Sequence, residues 1–515
     1  MTISGIQDKS SFLNIVPWLI ALTLCLLFGA FMHQEIACLG IALLISTLYA
    51  SMGWKEKANA PILIVWLLSL QNLMIGVGAH VSGNDSGDLI WLTQIPFAVT
   101  GVLFVSVILD RMNKPMVDRI NKYFILLAIW IAVMFLLGVG SLAARLVSVR
   151  NATVFFMAFC IAREYLKEDS ERERFYFQFG ICCVIVSVAG IVLMTQDVAF
   201  WMNMGLSEVY IAKQSPISLT TEWGHRFVTS VDGIHNVVRM MSTYYEPVNL
   251  AYLLSAGLIC IGLTWKKGVP KYLALLIVAL GLFLTFGKGG WMVAGVFVLF
   301  LLFYKSSTKR KTDEHGLRRP LVILGIILTG ASLAAILYFL FVGGAVRPHF
   351  WAVINTWENV ISRPVGHGLG SGGNAAYAFN SALGEWLSTG EESALMSFMY
   401  QIGIPGVLLL LLTMIAFCKT SRSILPSSKG AALFSLPIIL LAVSLLQDNT
   451  FAPQCIIPFM FLLGSISAEA KDASRLSDIN STSGEVFKAI PCRAGTAQTI
   501  GSAEGGFRLR ERQYK

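Results

Sequence analysis

The sequence predicts an all-α polytopic membrane protein, with 12–14 transmembrane helices and two long outer-face loops, on three observations. Of 515 residues, 55% are hydrophobic and 13% charged, about half the charged share of a soluble globular chain, so lipid replaces water as solvent. Apolar runs near the roughly 17–20 residues needed to cross a hydrocarbon core recur along the chain. Lys and Arg concentrate in alternate connections, as expected because basic residues resist translocation.

Fourteen apolar runs stand out, near 15–32, 36–53, 62–79, 91–109, 123–140, 144–162, 175–195, 247–264, 272–287, 289–304, 320–343, 393–417, 431–447 and 455–468. The first has no small-residue cleavage site and is followed by further spans, so it is a retained helix. Three are weaker. Arg145 and Arg150 interrupt 144–162, while 272–287 and 289–304 are short and meet at Phe286-Gly287-Lys288-Gly289-Gly290. Residues 1–14 form a cytoplasmic N-terminus and 15–468 one transmembrane domain. From about 469 the chain is rich in Ser, Gly, Ala and charge, which predicts a disordered cytoplasmic tail, 469–515. Two connections are long, about 196–246 and 344–392, and both fall on the outer face, where ordered long loops carry function.

Placing the N-terminus inside puts 31 of the 39 basic residues on the cytoplasmic side against 17 acidic ones, a balance of +14. Outside, 8 basic residues face 13 acidic ones, a balance of −5. The overall charge of +9 is therefore topology and no footprint of nucleic acid. Nine cysteines, nearly all inside apolar runs, form neither a disulfide framework nor a zinc pattern.

The eight outward cations run against the positive-inside bias: Arg145, Arg150, Lys213, Arg226, Arg239, Lys288, Arg347 and Arg363. Lys288, between glycines at the tip of a hairpin, is either a snorkelling helix-end lysine or a ligand for an anion at headgroup depth. Six of seven histidines are also outside, and no two have metal-ligand spacing. His367 lies in Arg363-Pro364-Val365-Gly366-His367-Gly368-Leu369-Gly370-Ser371-Gly372-Gly373, which is either a nest of N–H groups for phosphate or carboxylate, or a plain turn. Glu246, before Pro247, has the position of a helix cap. Thr389-x-x-Glu392 matches a capping box, which alone explains a carboxylate there; the pairing of Glu391 and Glu392 at an apolar boundary, where each would raise the other's pKa, makes one a candidate proton acceptor. An acidic metal cluster such as Asp-x-Asp is absent from the sequence, and no metal or other cofactor is implied.

Four segments, in order, resemble the O-antigen ligase and polymerase superfamily, the Wzy/WaaL type of membrane glycosyltransferase. Arg239 through Tyr252 is similar to its basic segment leading through an acidic or small residue and Pro into a helix. Leu284 through Trp291 is similar to its Thr-x-Ser-Arg-Gly-x-Trp hairpin, with Lys288 in place of Arg. Arg347 through Gly370, with Trp351, is similar to its loop of Arg, Trp and Pro-x-Gly-x-Gly-x-Gly. Glu392-Ser393, nine residues, then Gly403-Ile404-Pro405-Gly406 keeps the spacing of the ligase signature with Glu for His. The resemblance covers about 239–410, a third of the chain.

The resemblance implies a polymerase of undecaprenyl-pyrophosphate-linked repeat units in a bacterial plasma (inner) membrane, with both termini cytoplasmic. A glycan would pass from the lipid pyrophosphate to a sugar hydroxyl of a second lipid-linked repeat. Lys288, Arg347 and Arg239, with Arg363 second in rank, would hold the pyrophosphate. Glu392, or Glu246, would be the base, and His367 would orient an oxygen. The partners implied are the polyprenyl-pyrophosphate-linked donor and acceptor, membrane lipid and a chain-length regulator or other assembly protein. Two rivals are a ligase of the same superfamily, disfavoured by the missing histidine, and a lipid-linked oligosaccharide flippase, disfavoured because the ionisable residues cluster at the outer boundary.

Overall fold

The computed structural model describes residues 9–85, 87–111, 119–212, 227–231, 234–308, 320, 322–328, 330, 347–373, 393–425 and 427–488. It is an all-α polytopic membrane protein. The longer helices are α1 (Lys9–Phe31), α2 (Glu35–Ala50), α3 (Ala60–Ser82), α4 (Ile95–Arg111), α5 (Arg119–Leu136), α6 (Leu142–Tyr165) and α7 (Asp169–Leu193). They continue as α8 (Pro247–Thr264), α9 (Val269–Leu284), α10 (Lys288–Thr308), α11 (Arg347–Ser362), α12 (Ala394–Ser421), α13 (Ser428–Ser444) and α14 (Pro453–Lys488). Among the described residues, eight helices are long and apolar enough to cross a membrane, and four more apolar helices are shorter. Thirteen of the fourteen predicted runs coincide with these helices; most of 320–343 lies outside the described residues.

Local chemistry sets the helix ends. Ser141, Ser393 and Ser427 accept from the amides of Ala144, Met396 and Gly430, which satisfies donors that have no partner in the first turn. Pro247 opens α8, where its missing N–H is harmless and its fixed φ is already helical. Leu273, Leu276, Leu280 and Phe283 form an exposed apolar stripe along α9, and Leu408, Leu411, Leu412 and Ile415 do the same on α12. Such stripes are what lipid-facing surfaces require. Inside, small residues bring backbones together: a Cβ at Gly464 of α14 would stand 2.5 Å from the Phe159 carbonyl oxygen of α6.

Charge is segregated along the helix axes. Lys57–Asp110 (2.9 Å) and Lys429–Glu469 (2.7 Å), with Arg111–Glu164, tie together one end of the bundle, where Arg172–Asp169 pairs within α7. The long predicted loops begin at the other end. The first contains short helices Val198–Asn203 and Leu206–Ala212 and an antiparallel hairpin of β1 (Val228–Val231) and β2 (Ile234–Val238). The second begins with α11.

Residues Met1–Lys471 make one compact unit and Asp472–Lys515 another. Helix α14 runs to Lys488, so 469–488 is helical where a disordered tail is expected. Extending an existing helix needs no new nucleus, and Ala468-Glu469-Ala470-Lys471 favours continuation. Residues 489–515 lie outside the described residues.

Candidate functional site

The turn that carries Lys288 is held by Arg239. The guanidinium donates from Nε to the Thr285 carbonyl (3.0 Å) and from Nη2 to the Phe286 carbonyl (3.3 Å), while the Met240 amide donates to Leu284 O (2.9 Å). The cation therefore sits on the negative C-terminal end of α9, where the helix dipole favours it. Burial lowers its pKa, and the charges of Tyr210 and Glu246 oppose that shift. Lys288, the first residue of α10, is exposed and makes no hydrogen bond or ion pair among the described residues. Its flanking glycines serve packing: a Cβ at Gly289 would lie 2.4 Å from the Tyr252 hydroxyl of α8.

Glu246 occupies the N-cap of α8 in extended backbone, φ −141° and ψ 110°, but its side chain caps no amide. Its carboxylate instead accepts from Asn249 Nδ2 at 2.9 Å. Asn249 Nδ2 also donates to Gln454 Oε1 (2.6 Å), Gln454 Nε2 to Gln71 Oε1 (3.4 Å), and Gln71 Nε2 to Thr93 O (2.8 Å). From Thr93 Oγ1 the series continues through Gln94 Nε2 (2.9 Å) to Arg150, whose Nη1 meets Gln94 Oε1 (3.1 Å) and whose Nε meets Asn151 Oδ1 (3.3 Å). A line of polar side chains thus crosses the interior from Glu246 to Asn151. Asn249, Gln454 and Gln71 are all buried, and each amide in apolar surroundings requires the next as its partner.

The glycine segment locks onto a break in α12. At Gly403 the backbone turns to φ 66°, ψ −172°, and Pro405 follows. Groups freed by the break find other partners: Tyr400 O and Gln401 O accept from the His367 (2.9 Å) and Gly368 (3.0 Å) amides, Ile402 O from Trp130 Nε1 (2.8 Å), and the Ile404 amide donates to Pro364 O (2.8 Å). The Gly366, Leu369 and Gly370 amides donate to Arg363 O, Met134 O and Gln401 Oε1. The amides of 366–370 are therefore spent on the protein, and the anion-nest reading of that stretch is corrected to a backbone clasp. His367 stacks on Tyr400, centroids 4.0 Å apart and 5° between planes, with Nδ1 3.3 Å from Tyr400 O. Since a carbonyl only accepts, Nδ1 is the donor and Nε2 remains an acceptor in the neutral ring. Partial burial lowers the His367 pKa below the ordinary 6.5; the Tyr400 carbonyl opposes this and the Arg363 charge adds to it.

A partly open cavity of about 110 Å³ lies where the end of this clasp meets α6, the start of α12 and the turn Asp448–Phe451. Ser148, Asn151, Ser393, Ser397, Gln401, Asp448 and Asn449 supply its polar wall, and Phe398 and Phe451 its apolar one. The same turn reaches the Lys288 region, because Thr450 Oγ1 and the Tyr252 hydroxyl are hydrogen-bonded at 2.9 Å.

Of the predicted site residues, Arg239, Glu246 and Lys288 converge on the junction of α8, α9 and α10. His367 lies within the clasp and Arg363 at its start, and Arg363 is exposed. Arg347 opens α11, but its side chain and all of Glu392 lie outside the described residues. Two aromatic residues of the first long connection are interior. Trp201 and Tyr245 are 2% and 0% exposed and meet edge to face at 5.7 Å. The amides Gln71, Asn151, Asn249 and Gln454, and the cavity residues Ser148, Asp448 and Asn449, are additions that the charge pattern does not reveal. For Gln71, Asn151 and Asn249 the signal was the cost of placing a carboxamide inside an apolar run. Neither a protein-family model nor a curated protein matches the chain.

Proposed function

We propose that the protein is a glycosyltransferase that polymerises polyprenyl-pyrophosphate-linked oligosaccharide repeats at the outer face of a bacterial plasma membrane. The observation that carries this reading is the exposed Lys288 at the N-terminus of α10, on a turn clamped by Arg239 and adjoining Glu246. A cation at the positive end of a helix dipole lowers stability, so its placement there favours an external anion as partner. A lipid pyrophosphate is already a good leaving group. The chain must then supply cations to hold it and an acceptor for the proton of the incoming hydroxyl.

In this reading Lys288 and Arg347 contact the pyrophosphate, Arg239 shapes the turn and adds to the local field, and Arg363 guides the anion from the exposed rim. Glu392 takes the proton, with Glu246 the alternative base, and His367 orients an oxygen through Nε2. The donor and acceptor are both lipid-linked glycans, and a chain-length regulator is the expected protein partner. Polymer chain length in cells expressing Lys288→Ala, Arg347→Ala or Glu392→Gln tests it. Loss of polymer in each is expected; full-length polymer from all three overturns the reading.

A further inference from the structure

We propose that helix α11 lies in the outer leaflet of the membrane as an interfacial helix, with Ile354, Trp357 and Ile361 seated among lipid acyl chains. Among the described residues, α11 belongs neither to the helices long and apolar enough to cross a membrane nor to the shorter apolar ones. Its described side chains divide the helix surface into three sectors. Thr356 and Val360 are buried, and Val360 packs with Met396 and Met399 of α12. Ile354, Trp357 and Ile361, three and four residues apart, share one exposed face, on which Trp357 and Ile361 are 52% and 59% exposed. Asn355, Glu358 and Ser362 repeat that spacing one residue later and form a second exposed face, about 100° round the axis.

An exposed row of large apolar side chains requires a cover, and the position of this row identifies the cover as lipid. The Ile404 amide donates to Pro364 O (2.8 Å), and a Cβ at Gly403 would stand 2.2 Å from the Val365 carbonyl carbon. The chain leaving α11 is therefore fixed against the point where α12 resumes after its break. There the exposed Val365 adjoins the exposed Ile404, which begins the lipid-facing stripe of Leu408, Leu411 and Ile415 on a membrane span. The apolar face of α11 thus continues a surface that lipid already covers. Its polar face excludes deeper burial: a crossing orientation would place the Glu358 carboxylate in hydrocarbon. A wholly aqueous position would leave Trp357 and Ile361 hydrated. One face on protein, one in lipid and one in water are satisfied together only along the membrane–water boundary. Trp357, an apolar ring with one polar N–H, is a side chain suited to that depth. This placement is independent of the transferase reading.

The test is a depth measurement on the full chain in nanodiscs of phosphatidylethanolamine and phosphatidylglycerol. A nitroxide is attached through p-acetylphenylalanine, which leaves the native cysteines untouched, in place of Ile354, Trp357, Ile361, Asn355, Glu358 or Ser362. Leu408 is the lipid-facing reference. Electron paramagnetic resonance then reads collisions with oxygen, which concentrates in lipid, and with a neutral nickel chelate, which stays in water. The oxygen-to-nickel ratio should be high at 354, 357 and 361, as at 408, and fall several-fold at 355, 358 and 362. Melting temperatures check folding, and because each face carries three labels, one that prevents folding leaves two to decide. Nickel contact at 354, 357 and 361 puts that face in water, and exclusion of both reagents there puts it under another part of the chain or a second copy; either result overturns the proposal. A high oxygen ratio on both faces overturns it too, since the helix would then be immersed. The readout needs no turnover, so failure of the transferase reading leaves it standing, and a failed depth pattern leaves that reading untouched.

Discussion

Asn249 stands one helical turn inside the span that Glu246 opens and donates to the Glu246 carboxylate at 2.9 Å. Cys455 Sγ, 3.1 Å from Asn249 Oδ1, and Gln454 Oε1, 2.6 Å from Nδ2, determine which way that amide faces. Glu246 is thus oriented from within the bundle by neutral groups. Asn249→Ala leaves Gln454 and Glu246 without a shared donor and should cost about 1–3 kcal/mol of stability, read by unfolding in detergent. Asn249→Asp should cost more at neutral pH and recover as pH falls, since two adjoining carboxylates relieve repulsion by taking up a proton.

Arg239 predicts a different balance. Its two bonds to the Thr285 and Phe286 carbonyls use the geometry of a guanidinium fork, which an ammonium lacks. Arg239→Lys should therefore lower stability by about 1–3 kcal/mol although the charge is kept, and Arg239→Ala by at least as much. Thermal melting of the purified variants checks this. Equal stability of Arg239→Lys and the parent would remove the clamp from the account.

Apolar length made the membrane helices legible, because a span must hide its whole backbone and announces itself as an unbroken run. Helix α11 is amphipathic and short, so its pattern is lost inside a segment read as loop. Charges at the site were legible because Lys288 and Arg239 break an electrostatic rule. The amides were not: Asn249 or Gln454 changes no charge count, and each matters only through a partner up to hundreds of positions away. The clasp failed as an anion nest for the same reason. Its donors are consumed by Met134, Tyr400 and Gln401, which no local motif connects to Gly366–Gly370.

The clasp yields a steric prediction. Gly403 has φ 66°, and a Cβ there would stand 2.2 Å from the Val365 carbonyl carbon. Both the positive φ and backbone on the far side oppose any side chain. Gly403→Ala should destabilise by about 2–4 kcal/mol, combining strain with displacement of the 363–370 segment. Reduced folded yield and a lower melting temperature are the readouts.

His367 predicts a pH dependence. Its folded pKa lies below the ordinary 6.5, so the fold favours the neutral ring, and the stability this contributes is present above the unfolded value and lost as pH falls through the folded one. Polymerisation that uses Nε2 as acceptor should decline over the same acidic range. Arg363→Ala removes one of the causes and should move the His367 titration, followed by NMR, back towards 6.5.

Lys288 separates function from stability most sharply. As the first residue of α10, exposed and without an ion pair among the described residues, its charge opposes the helix dipole. Lys288→Ala should therefore leave stability unchanged or raise it by about 0.3–1 kcal/mol. If the charge meets a pyrophosphate as the sugar departs, the same change should slow polymerisation by about 10²–10³, and Lys288→Arg should restore much of the rate. Melting temperature and polymer yield measured on the same preparations decide the matter. A variant that loses both together would make Lys288 a structural residue, while one that loses only polymer places its charge on the substrate.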